Sequence, residues 1–88
     1  MSGFVYLVFQ GERFEGGSVK KIFDNYESAL NEVYATAYGW QYSSNFKADF
    51  NYWQCGGHYI TIQKWSLLTG SRVELNENSP EFLKEIEQ

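Results

Sequence analysis

Residues 4–10 read Phe-Val-Tyr-Leu-Val-Phe-Gln, apolar at every position but the last and therefore apolar on both alternating faces. That pattern predicts a strand covered on two sides or lying centrally in a sheet. Gly11, Gly16 and Gly17 interrupt it amid mixed charge, and residues 19–23 (Val-Lys-Lys-Ile-Phe) resume a shorter extended segment. The two segments predict a hairpin with a wide loop. Asp24-Asn25-Tyr26-Glu27 follows with the spacing of a capping box, so a helix is expected to start at Asp24. Its inward stripe would be Tyr26, Ala29, Leu30, Val33, Tyr34 and Ala37, with Glu27, Asn31 and Glu32 in water and Gly39 closing it after Tyr38.

Residues 39–57 keep no sustained period. Phe46, Phe50 and Trp53 fit one face of a short helix, whereas Phe50 and Tyr52 alternate equally well in a strand leading to Cys55. Periodicity leaves both open. Residues 58–65 (His-Tyr-Ile-Thr-Ile-Gln-Lys-Trp) alternate as a strand with Ile60 and Ile62 on one face and Tyr59, Thr61, Gln63 and Trp65 on the other. Thr69-Gly70-Ser71 marks a turn and residues 72–75 complete a second hairpin. Ser79-Pro80-Glu81 supplies a cap, a first-turn proline and an acid, so residues 81–87 predict a short helix docked by Phe82, Leu83 and Ile86.

This order predicts an α+β fold in one domain over residues 1–88. Two hairpins form an antiparallel sheet, one main helix packs on a face, and an aromatic insert and a short C-terminal helix complete two layers. At 88 residues roughly 60% of the unfolded surface can be buried, enough for one core.

Composition narrows the chemistry. Eleven acidic against seven basic residues give a net charge of −4, which argues against a sequence-independent grip on phosphate backbones. Cys55 is the only cysteine, so an internal disulfide is ruled out and a reducing compartment is the expected home. No apolar run reaches the ~18 residues that span a bilayer, and Met1-Ser2-Gly3-Phe4 lacks a signal-peptide pattern. A cytoplasmic protein is expected, in the host cytoplasm if phage-encoded.

Val5-Tyr6-Leu7-Val8-Phe9, Glu15-Gly16-Gly17-Ser18-Val19, Ile22-Phe23-Asp24 and the Glu27/Ala29 pair resemble the opening of small ββαββ domains of phage and bacterial proteins of uncharacterised function. Ile60-Thr61-Ile62-Gln63-Lys64-Trp65 looks like the later strand of such domains, which ends at a Trp. The resemblance covers the first 38 residues and the 58–75 hairpin. It implies a phage or mobile-element context, in which small acidic proteins bind and block host proteins; it carries no activity.

The catalytic inventory is thin, and no catalytic residue, metal site or cofactor is expected. Cys55 and His58 stand three apart, which on a strand separates their side chains unless Gly56-Gly57 turns between them. Glu12 and Glu15 read as solvated, and the glycines of residues 11–18 lack the lysine and helix of a phosphate cradle.

Binding is the expected role. Aromatic residues number 17 of 88, more than a small core hides easily, and Tyr and Trp suit interfaces. Trp40, Tyr42, Phe46, Tyr52 and Trp53 of the insert are the candidate contacts, with Arg13 and Phe14 in the first loop. The insert would also cover the second face of the sheet, with Trp53 and Phe50 inside. Glu74, Glu77, Glu81, Glu85 and Glu87 form a candidate acidic surface steering toward a basic partner. The reading is a non-enzymatic inhibitor of a host protein, of anti-CRISPR or anti-restriction type, whose partner is a nucleic-acid-processing defence complex. The alternatives are a nucleotide-binding or sequestering protein using Arg13, Lys20, Lys21 or Lys47 for phosphate, and a homodimeric structural module. Basic residues clustered beside the aromatics would favour the nucleotide, and scattered ones the protein partner. If the insert is a contact surface, Trp40→Ala or Tyr52→Ala weakens partner capture while leaving the thermal midpoint nearly unchanged; loss of folding in both variants would make it core.

Overall fold

Both long strands draw on the apolar runs. β1 (Phe4–Glu12) and β5 (His58–Ser66) pair antiparallel along their whole length, from Phe4 opposite Ser66 to Glu12 opposite His58. The computed structural model describes residues 3–12, 14–49, 51–76 and 78–83. β2 (Gly16–Phe23) flanks β1, and the chain then enters α1 (Tyr26–Thr36), a single 3-10 turn at Trp40–Tyr42, β3 (Phe46–Asp49) and β4 (Tyr52–Cys55). β6 (Arg72–Val73) and α2 (Pro80–Leu83) follow β5. The sheet runs β2-β1-β5-β4-β3; β4 pairs with residues 58–61 of β5, and β6 pairs with Lys64 and Trp65 on that same side.

The class is α+β with an antiparallel sheet, but the two-hairpin sheet needs correction. Six strands form it, because the aromatic insert supplies a further hairpin, β3–β4, at the sheet edge. Hydrogen bonding in the sheet plane satisfies the insert's backbone. The insert therefore widens the sheet and does not lie over its second face; Phe50 lies outside the described residues.

The helix starts one residue later than the capping box suggests. Asn25, with extended backbone angles of −147° and 155°, caps it by accepting the Ser28 amide at 2.8 Å. Asp24 instead accepts from the Asn25 side chain at 2.9 Å. At the other end the helix stops at Thr36, short of Tyr38, with Ala37 as its cap. Gly39 is right-handed at φ −79° and opens the 3-10 turn, so it is no left-handed stop. Trp40 donates its amide to the Ala37 carbonyl at 2.9 Å and packs on the core, which turns the chain early.

Ala29, Val33 and Ala37 carry the helix stripe onto Tyr6 and Val8 of β1, Trp53 of β4, and Ile60 and Ile62 of β5. Burying each Val or Ile stabilises by roughly 1.5–3 kcal/mol. Tyr34, expected inward, lies 55% exposed at the rim of that stripe, while Glu32, expected in water, is half-buried. A register shift between Val8 and Phe9 explains the latter. The bulge turns two consecutive residues to the helix side, where Lys20 and Lys21 lie 3.2 and 3.1 Å from the Glu32 carboxylate. Hydrogen bonding to Lys21 chiefly, with Lys20 adding to it, holds the Glu32 carboxyl below its ordinary range against the effect of burial. Among the described residues no helix is long and apolar enough to cross a membrane.

β1 and β2 approach closely at Gly11 and Gly17, which face each other in register. A Cβ on Gly11 would fall on the Gly16 carbonyl oxygen and, at 2.5 Å, on the Gly17 Cα. Gly11→Ala is therefore expected to cost about 1–3 kcal/mol by overpacking, whereas Gly57→Ala, with open space at its Cβ, stays within about 0.5 kcal/mol. Thermal unfolding of both variants checks this.

Candidate functional site

Alternation along β5 turns Lys64 to the same side as Ile60 and Ile62, where it is only 6% exposed. A buried ammonium requires a partner. Glu81, in the first turn of α2, brings Oε2 to 2.5 Å from Lys64 Nζ, and the Tyr6 hydroxyl donates to the same oxygen at 2.5 Å. The Phe4 ring adds a cation–π contact, its centroid 4.3 Å from Nζ. Burial opposes ionisation of Glu81, but the hydrogen bonds from Lys64 and Tyr6 outweigh it and hold the carboxyl below its ordinary range. Burial also pushes the Tyr6 hydroxyl well above the phenol range, with the Glu81 bond adding to it. Glu81 Oε1 is buried and has no hydrogen-bond partner among the described residues.

Local turns deliver Glu81 to this place. Asn76 accepts the Asn78 amide at 2.8 Å and donates its own amide to Ser79 Oγ at 2.9 Å, which leads into Pro80 as the sequence predicts. Phe82 then meets Tyr26 edge to face, with centroids 5.0 Å apart, and Tyr26 meets Tyr6 likewise at 5.9 Å. On the other side Asn51, at a positive φ of 55°, links the β3–β4 turn to the sheet. Its side chain donates to the Ile62 carbonyl at 2.6 Å, and its carbonyl accepts from Thr61 Oγ1 at 2.7 Å. Asn tolerates that left-handed conformation better than most residues.

Between the start of α1, Asn51 and α2 lies an open groove of about 900 Å³. Its aromatic lining is Tyr6, Tyr26, Tyr34, Trp53 and Phe82; its carboxylates are Asp24, Glu27 and Glu81. The amides of Asn25, Asn31 and Asn51 complete the polar part, and no Lys, Arg or His lines it among the described residues. Burial, with the neighbouring Tyr34 and Glu81 adding to it, pushes the Tyr26 hydroxyl well above the phenol range, so it remains a neutral donor at neutral pH.

The aromatic contacts expected from the sequence are not gathered into one patch. Trp53 is buried at the groove, while Tyr52 points to the opposite sheet face and stacks on Tyr59 at 5.9 Å. Trp40 and Phe46 pack against the core, Tyr42 is 74% exposed beside Tyr38, and Phe14 is 98% exposed at the first hairpin. Arg13 lies outside the described residues, as do Glu77, Glu85 and Glu87. Glu74 is exposed, but Glu81 is no solvated acid: its side chain is 8% exposed because Lys64 holds it inside.

Tyr6, Tyr26, Tyr34 and Asn51 lie outside the contacts the sequence predicts, because Tyr26 and Tyr34 read as the core stripe of a helix, Tyr6 as part of an apolar strand and Asn51 as one polar residue among several in the insert. Lys64 did carry a legible signal, a charge on the apolar side of an alternating strand. The bases among the described residues are scattered. Lys20 and Lys21 are held by Glu32, Lys64 by Glu81, and Lys47 and Arg72 lie on separate edge strands. The Gly56-Gly57 turn does place Cys55 opposite His58, yet no hydrogen bond joins them among the described residues; His58 Nδ1 instead lies 3.9 Å from Glu12. Compared with known proteins, the chain matches no family model, no curated sequence and no solved structure.

Removing Glu81 leaves Lys64 fixed in a central strand without an anion. Glu81→Leu is expected to cost about 3–5 kcal/mol, with Lys64→Met/Glu81→Leu recovering most of it. Because the Glu81 carboxyl is lower in the folded state, its contribution is full above the unfolded carboxylate range, near about pH 4.3, and is lost as pH falls through the folded value. Urea unfolding below about pH 4.3 should therefore show a steeper loss for the wild type than for Glu81→Gln.

Proposed function

We propose that this chain is a small non-enzymatic protein that binds another protein, receiving a basic segment of its partner in the groove beside α1. The observation that carries the reading is the groove's composition, five aromatic side chains and three carboxylates without a basic residue among those described. A guanidinium or ammonium group can stack on the aromatic faces there and meet carboxylate acceptors. Aromatic anchors supply binding energy and acidic rims steer the encounter. The scattered bases among the described residues favour a protein partner over a nucleotide, since a phosphate entering the groove would meet carboxylates and none of the described cations.

In the phage context that the resemblance implies, the binding blocks a host protein. A nucleic-acid-processing defence complex, of CRISPR or restriction type, would present the basic surface that suits this groove. The acid supporting the reading shifts from a C-terminal patch to Asp24 and Glu27, since Glu81 at the floor is already paired with Lys64.

Capture from bacterial lysate tests the reading. One host protein retained by the tagged wild type should be reduced at least about tenfold by Glu27→Lys and by Tyr34→Ala, two exposed positions whose variants keep the wild-type melting midpoint. Capture should also weaken as salt is raised. Undiminished capture by both variants, or a nucleotide released on denaturation with no protein enriched, would overturn it.

A further inference from the structure

β1 is apolar on both faces, but the described helices cover only one. Its other face shows Val5, Leu7 and Phe9, and the register sets Ile22 and Val19 of β2 beside Leu7 and Phe9. Trp65, Gln63 and Thr61 of β5 lie on the far side of the same three residues, with the stacked Tyr52 and Tyr59 beyond. Ile22 is 62% and Val19 41% exposed. A solvated sheet face is ordinarily polar; this one is not.

Charge is held to the margins of this face, where Arg72 of β6 pairs with Trp65 and Lys47 of β3 pairs with Gln54 beyond Tyr59. The bulge in β2 turns Lys20 and Lys21 to the helix side, and Lys64 faces the core. Asp24, Glu27, Glu32 and Glu81 also lie on the helix side, in the groove or against the two lysines. The polar tip of Trp65 is already satisfied, its Nε1 donating to Gln63 at 3.1 Å.

We propose that this helix-free face is the interface with a second copy of the chain, two sheets packing face to face. Strands of nine, eight, nine, four and four residues, at about 3.3 Å per residue and about 4.8 Å apart, span roughly 540 Å². Two such faces together give about 1,100 Å², above the ~1,000 Å² that a specific interface should clear. The short principal extent of 19 Å against 38 and 33 Å matches a two-layer slab with one broad free side. An uncharged middle meets its own copy without like-charge repulsion, with the carboxylates of Asp24, Glu27, Glu32 and Glu81 on the outside. Two inner faces about 10 Å apart then form a sandwich core, and the two grooves open outward, making the dimer bivalent.

Sedimentation equilibrium over about 1–200 µM tests this, with the thermal midpoint followed over the same range. The wild type should have twice the 10.3 kDa chain mass and a midpoint rising with concentration. Ile22→Glu and Val19→Lys, both on an edge strand, should each raise the dissociation constant at least about tenfold with unchanged circular dichroism. Tyr42→Glu, equally exposed but off this face, should leave the dimer intact. A wild type monomeric throughout, or a dimer indifferent to both sheet-face variants, would overturn the inference. A monomer that still captures a host protein through the groove would do so while leaving the proposed function standing. A dimer that captures nothing would do the reverse.

Discussion

An ammonium group turned into the apolar side of β5 is the constraint on which the C-terminal arrangement depends. Lys64 cannot be left unpaired there, because the desolvation cost of an isolated buried charge exceeds what local packing returns. Glu81 answers it from beyond β6, and the Tyr6 hydroxyl ties the same carboxylate oxygen to the neighbouring strand. The pair therefore does more than close a charge. It places α2 over one end of the sheet and sets Phe82 against Tyr26. The groove exists because those two aromatics and Asn51 frame a space that the core does not fill.

A second ion cluster shapes the other side of the molecule. The β2 bulge sends two successive lysines toward Glu32, which joins the edge strand to α1 and removes both charges from the opposite face. The helix side thus holds the groove's carboxylates and the paired lysines, while the other side keeps Val5, Leu7, Phe9 and Trp65 with an uncharged middle. One small slab has two surfaces of different chemistry. The groove suits a basic partner, and the apolar face suits a like surface.

Local signals were legible where the physics is local. A continuous apolar run marked β1 and alternation marked β5, turn glycines marked their ends, and Ser79-Pro80 marked the start of α2. The helix was legible too, but not its cap, because Asp24 and Asn25 are both competent acceptors and the path out of β2 decided between them. The insert escaped because its aromatics satisfy a helical and an extended period alike; pairing with β5, residues away in the chain, selected the hairpin.

The candidate site was legible only in part. Trp53 could be named as a contact from its residue type, and Lys64 could be seen as a charge on an apolar strand face. The sequence by itself determined which residues share a side of each strand and helix, since that follows from periods of 2.0 and 3.6. What stands over each side was decided by tertiary structure alone. Glu81 became buried and Tyr34 exposed because burial depends on the element opposite, and no period along the chain records which element that is.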